Sequence, residues 1–164
     1  MSELEQLLIG DGAAAPPSAI LQGVEAGLAH KHLPGAPHTI YQELWHISYW
    51  QQISLDWVRG VETPIPAHAA VGFPSSAEAE GEDWERLCVR FFTTLWEAAA
   101  IARTAGGLDQ AIRCPSRPGL PVRVMTVREQ LENLAAHNAY HFGRIVLLRH
   151  LLGIWPPAAG GFTW

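Results

Sequence analysis

The residues with the clearest chemical potential are two histidines, His137 and His141, in the run His137-Asn138-Ala139-Tyr140-His141. If this run is helical, residues four apart lie about one turn apart on one face, with Cβ atoms roughly 5–6 Å from each other. Burying an imidazole without partners is costly. Two arrangements remove that cost. Neighbouring groups can hydrogen-bond the rings, or a divalent metal can take one neutral nitrogen from each. The pair alone leaves both open. A third histidine, His46, lies in a tryptophan-rich stretch far earlier in the chain.

The elements around these residues are legible. Thr126 and Glu129 have the spacing of a capping box, in which side chain and backbone cap each other reciprocally. From there Val127, Leu131, Leu134, Asn138, His141, Ile145, Leu148 and Leu152 recur at alternating three- and four-residue intervals. That spacing predicts one long amphipathic helix over 126–152, stopped by Gly153 and Pro156-Pro157. His141 falls on the apolar stripe and His137 flanks it. Thr39 and Gln42 mark a second such start. From there to Arg59 two adjacent stripes run along one helix: Ile40, Leu44, Ile47, Leu55 and Val58, then Glu43, His46, Trp50, Ile53 and Trp57. A helix apolar on two flanks is deeply packed, so His46 is predicted to face inward.

If those two helices are neighbours, three imidazoles converge. Three protein nitrogens with a vacant fourth position describe a catalytic metal site rather than a sealed structural one, and an ion there would draw the pKa of a bound water or thiol toward neutrality. Two competing metal signatures fail. The zinc-protease helix needs Glu after its first histidine, and here Asn138 stands there. The di-iron bundle needs two Glu-x-x-His units. Glu43 and His46 supply one, but Asn138 stands where the second needs Glu.

The remaining chain predicts a short first helix over Leu4–Ile9, a second helical piece from Pro16-Pro17-Ser18 to Leu28, and a loop through Pro37. A long Pro/Gly-rich surface connection over 61–76 follows. A third long helix runs from Trp84 to Ala102, and an extended or hairpin-like stretch covers 108–123. There is no internal repeat, and 164 residues suit one domain. Three long helices, an N-terminal helix and almost no strand signal predict an all-α, up-and-down four-helix bundle. A net charge of −5 without a basic cluster argues against a nucleic-acid partner. No apolar run reaches the roughly 20 residues that span a bilayer. Cys88 and Cys114 are the sole cysteines, and the N-terminus is not signal-like; both features predict a cytoplasmic protein with reduced thiols.

The blocks Ile40 to Trp50 and His137 to Arg149, the loop Gly60 to Pro66 and the ending Leu152-Gly153-Ile154-Trp155-Pro156-Pro157 resemble the DinB-like family, and the order of segments is similar across nearly the whole chain. The resemblance implies an up-and-down four-helix bundle, often dimeric, in which three histidines hold a divalent metal; three imidazoles suit zinc, nickel, copper or iron, with zinc or nickel the first choices. Carried onto this sequence, the ligands are His46, His137 and His141. It also implies a small-molecule substrate. Relatives include transferases dependent on low-molecular-weight thiols, hydrolase-like members and members without known activity, so the resemblance specifies the site better than the reaction.

Other candidates carry weaker expectations. Glu43, one turn before His46, reads as a solvated or salt-bridged carboxylate in preference to a fourth ligand or base. Asn138 reads equally as an interhelical hydrogen-bonding residue or as a group orienting a ligand ring. Tyr140 and Arg144 read as helix-surface residues that could line the mouth and meet an anionic substrate. Trp50 reads as core or pocket wall. His30, His32, His38, His68 and His150 read as non-ligands, and neither cysteine has an activating neighbour.

Overall fold

The long helices begin where reciprocal caps stand. In a computed structural model describing residues 1–10 and 14–158, the elements are α1 (Glu3–Ile9), α2 (Pro17–Leu21), α3 (Ala26–Ala29), α4 (Ile40–Val58), a 3-10 turn (Ala69–Gly72), α5 (Ser76–Gly81), α6 (Trp84–Arg103), β1 (Ala111–Cys114), β2 (Arg123–Thr126) and α7 (Val127–Leu151). Thr39 and Gln42 cap α4 in both directions, at 2.9 and 3.2 Å. Thr126 and Glu129 do the same for α7, at 2.7 and 3.1 Å. Each box satisfies backbone N–H groups that have no partner within the helix. Asp83 caps α6 through the Arg86 N–H. Past α7, Gly153 takes a left-handed φ of 72° that a side chain would strain.

Two predicted elements differ in detail, and the predicted hairpin-like stretch is present but runs on to Thr126. The helical piece predicted from Pro16 to Leu28 is split into α2 and α3, with Gly23 at φ 70° between them. The connection over 61–76 is not wholly irregular: it holds the 3-10 turn and leads into α5, which has its own Ser75/Glu78 capping box. The stretch after α6 forms an antiparallel hairpin pairing Ala111 with Thr126 and Cys114 with Arg123. Residues 11–13, which follow the predicted first helix, and residues 159–164 lie outside the described residues.

α4 packs on both α6 and α7, and α1 packs on both α6 and α7; the hairpin closes one end against α4 and α7. The core comes in two apolar clusters. One holds Leu44, Ile47, Leu87, Phe91 and Ile145; the other holds Leu55, Trp57, Ala98, Leu131 and Leu134. Between them along α4 and α7 lies a buried polar layer. Gln51 donates to Thr94 Oγ1 at 2.6 Å and to the Phe91 carbonyl at 3.0 Å, and accepts from Asn138 Nδ2 at 2.9 Å. Asn138 therefore ties α7 to α4, the interhelical role of the two expected for it. His46 and His141 are buried at the same level.

The N-terminal pieces are fastened by Arg149, which is 2% exposed. It donates to the carbonyls of Ala19, Ile20, Gln22 and Ile154, and its guanidinium lies 5.2 Å from the Trp155 ring centre. Burial lowers its pKa. Removing the donor strands buried carbonyls, each costing about 1–3 kcal/mol. Arg149→Met should therefore lower unfolding free energy by on the order of 3 kcal/mol in urea titrations, while a surface change such as Arg86→Met should fall within about 0.5 kcal/mol of wild type.

Candidate metal centre

The middle of α4 presents His46 and the middle of α7 presents His137 and His141, and the three rings meet. The ring centres of His46 and His141 are 4.4 Å apart, those of His137 and His141 4.5 Å, and those of His46 and His137 5.1 Å. One nitrogen from each ring lies within 4.8 Å of the others, so the three could hold a metal ion. His46 and His137 approach through their Nε2 atoms at 3.2 Å. Two nitrogens bound at about 2.0–2.1 Å to one tetrahedral ion stand roughly 3.3 Å apart, so this spacing fits a shared ion.

The groups behind the rings fix which nitrogen faces inward. His46 Nδ1 lies 2.7 Å from the Gly72 carbonyl oxygen, which can only accept, so Nδ1 carries the proton and the Nε2 lone pair is free. His141 Nδ1 lies 2.7 Å from a Glu43 carboxylate oxygen, an acceptor that likewise places a proton on Nδ1 and turns Nε2 inward. A carboxylate or carbonyl behind a ligating histidine is the usual means of setting ring orientation and basicity. His137 differs, because its buried Nδ1 has no partner among the described residues. Glu43 is fully buried, so of the two expectations for it, solvated or salt-bridged, the structure shows the second. Its other oxygen forms an ion pair with Arg144 at 2.8 Å. Glu43 thus contacts a ring of the cluster from behind; it is not a fourth member of it.

A family profile for the DinB superfamily matches residues 18–145, taking in all three histidines. The chain belongs to the DinB superfamily. No curated protein matches the sequence. Among the described residues no helix is long and apolar enough to cross a membrane.

Several parts of this DinB-superfamily site had little or no signal in the sequence. Phe73 stacks on His46 with ring centres 4.2 Å apart, and His38 stacks on the other side of Phe73 at 3.7 Å. A side chain at Gly72 would place its Cβ 3.2 Å from both His46 Nδ1 and Trp50 Nε1. The connection predicted only as a surface loop therefore closes over one ring. The remaining histidines fall outside the cluster, as expected: His30 stacks on Tyr41 and His68 caps the 3-10 turn. Tyr140 is exposed, as a helix-surface residue should be, and meets His141 edge-on. Both cysteines are free. Desolvation pushes the Cys88 thiol up to about 12 and raises Cys114 as well, which leaves both unreactive.

A cavity of about 240 Å³ adjoins the centre. His137 and Trp50 border it, with Trp57, Gln130 and Arg123 around them. Trp50 also stands edge-on to both His46 and His137, so one indole faces rings and cavity together. A larger cavity of about 630 Å³ lies between α1 and α7 against Leu7, Ile20, Phe142 and Val146. None of the three histidines lines it, and the smaller cavity is the one relevant to chemistry at the rings.

Burial holds His46 and His137 neutral, pushing both down to about 4. Neutral imidazole is the form a metal needs. In the unfolded chain these rings titrate near 6.5. Between those values the unfolded state binds more protons, so stability of metal-free protein is full above about pH 6.5 and falls as pH drops toward 4. Thermal melts of metal-free protein should show that loss, and His46→Gln should flatten it. Gly72→Ala should crowd the His46 ring and weaken zinc binding severalfold in a competition titration, with the helical circular dichroism unchanged.

Proposed function

We propose that this DinB-superfamily protein binds one divalent metal, zinc or nickel, through the Nε2 atoms of His46, His137 and His141, and that it acts on a small electrophile as a thiol-dependent S-transferase or a hydrolase. The bundle that carries the site is read as an up-and-down arrangement of α1, α4, α6 and α7, working as a cytoplasmic homodimer. The observation that carries the reading is the convergence of two proton-fixed rings and a third on one point beside a cavity. An ion held by three imidazoles supplies Lewis acidity and lowers the pKa of a water or thiol nucleophile.

The chain's own residues have separable tasks. Glu43 and the Gly72 carbonyl keep lone pairs turned inward. Arg144 offsets the buried charge of Glu43, so that the carboxylate can sit at full burial without favouring a protonated, non-ligating His141. Trp50 and Trp57 exclude water from one side of the cavity and offer flat surfaces to a substrate. A low-molecular-weight thiol, such as glutathione, mycothiol or bacillithiol, is the co-substrate this chemistry suits.

A second reading is a non-catalytic metal-binding protein of stress response or interaction. It is favoured by the lining of the small cavity, which includes no carboxylate among the described residues. Elemental analysis tests what the two readings share. Wild type should carry close to one ion per chain and His141→Ala almost none, with Glu43→Gln retaining the ion more weakly. Retention should fall as pH drops toward about 4, where His46 and His137 take up protons in the folded chain, since each ligand must lose its proton to coordinate. Turnover separates the readings: metal-loaded wild type should conjugate glutathione to an activated aryl halide or cleave an activated ester, and His141→Ala should do neither. Full metal content with no turnover on either probe supports the non-catalytic reading.

A further inference from the structure

The hairpin turns one cation toward the small cavity and leaves it unneutralised. In β1 the inner-facing residues are Ile112 and Cys114, 5% and 0% exposed. Cross-strand partners point to the same face of an antiparallel pair. Arg123 is paired with Cys114 and so lies on that side of the hairpin; it is itself exposed, at the solvent edge of the cavity that Trp50, Trp57 and His137 also border. Arg113, one residue away on β1, belongs to the outer face and is ion-paired with Glu62 at 2.6 Å. Arg123 forms no ion pair among the described residues, and no carboxylate among them lines the cavity. Arg144, the other cation near the rings, is already committed to Glu43.

We propose that the cavity is a binding site for a small carboxylate-bearing molecule with a flat, apolar body, and that Arg123 is the group that selects the carboxylate. A guanidinium offers a planar fork of donors that matches a carboxylate's two oxygens. The two indoles supply an apolar slot for the body, with Ile65 and Leu134 completing it. At about 240 Å³ the space is below the roughly 300–1,000 Å³ of drug-sized pockets, so one ring or a short conjugated chain fills it. The proposal rests on the reading of the three histidines as the reactive centre, because it makes this molecule the substrate whose far end Arg123 holds while its body lies beside His137.

Benzoate and its neutral isostere benzamide test the site in the full chain, zinc-loaded and chelator-stripped. The indole N–H resonances of Trp50 and Trp57, assigned with Trp50→Phe and Trp57→Phe, report occupancy. Benzoate should shift both resonances and bind at least tenfold more tightly than benzamide, with or without zinc. Arg123→Ala should abolish that preference, Arg123→Lys should keep part of it, and Arg113→Ala should leave it unchanged. Equal binding of the two probes, no response to either, or a benzoate preference untouched in Arg123→Ala would overturn the proposal. A benzoate response that requires zinc and ignores Arg123 would show the anion bound to the ion alone, and would overturn it too. If the protein fails to bind zinc yet keeps an Arg123-dependent preference, the metal reading falls and the anion site stands.

Discussion

Three imidazoles buried at one point, two with their protons held on the outer side, constrain the rest of this molecule. Neutral rings packed together are tolerable only if each nitrogen has a defined role. The Gly72 carbonyl and Glu43 define two of them. Glu43 is then a buried carboxylate, and an unpaired one would be strongly destabilising. Arg144 answers that charge from the half-buried flank of α7. The chain of dependence therefore runs from a ring to a carboxylate to a guanidinium, and it joins α4 to α7 at the level where the apolar core is interrupted.

That interruption is compensated in part by polar side chains that bond one another, with Asn138 Oδ1 and His137 Nδ1 left without a partner among the described residues. Gln51 spends both ends of its amide on α6 and α7. Gln130 donates to Ser54 in the same way nearer the hairpin. Here the layer also sets register, because a slide of α7 along α4 would separate Asn138 from Gln51 and His141 from Glu43 together. The helices are thus positioned relative to each other by the residues that position the rings.

Much of this was legible in the sequence. The capping boxes at Thr39 and Thr126 gave the starts of α4 and α7, and the three-and-four spacing gave their inward faces, which brought His46, His137 and His141 together. The sequence leaves Glu43 open between solvated and salt-bridged, because a lone carboxylate on a helix carries no sign of its partner 98 residues away. Its place on the inward row with His46 and Trp50 was the available signal. Gly72, Phe73 and His38 were out of reach: a backbone carbonyl has no sequence signature, and stacking between loop residues follows no period. The α5 helix was missed although Ser75 and Glu78 have capping-box spacing, since six residues are too few to show an apolar stripe. Arg149 was quoted only within a family motif; four carbonyls on distant segments explain its burial.

The acceptor for His46 is a main-chain atom in the connection between α4 and α6. Surface connections ordinarily tolerate added or deleted residues better than any other part of a fold. This one does not share that freedom. Away from Gly72 and Phe73 its amino acids can change while the peptide path is kept, but a residue inserted beside position 72 would shift which carbonyl meets the ring. The span is therefore under a constraint on length that its composition hides.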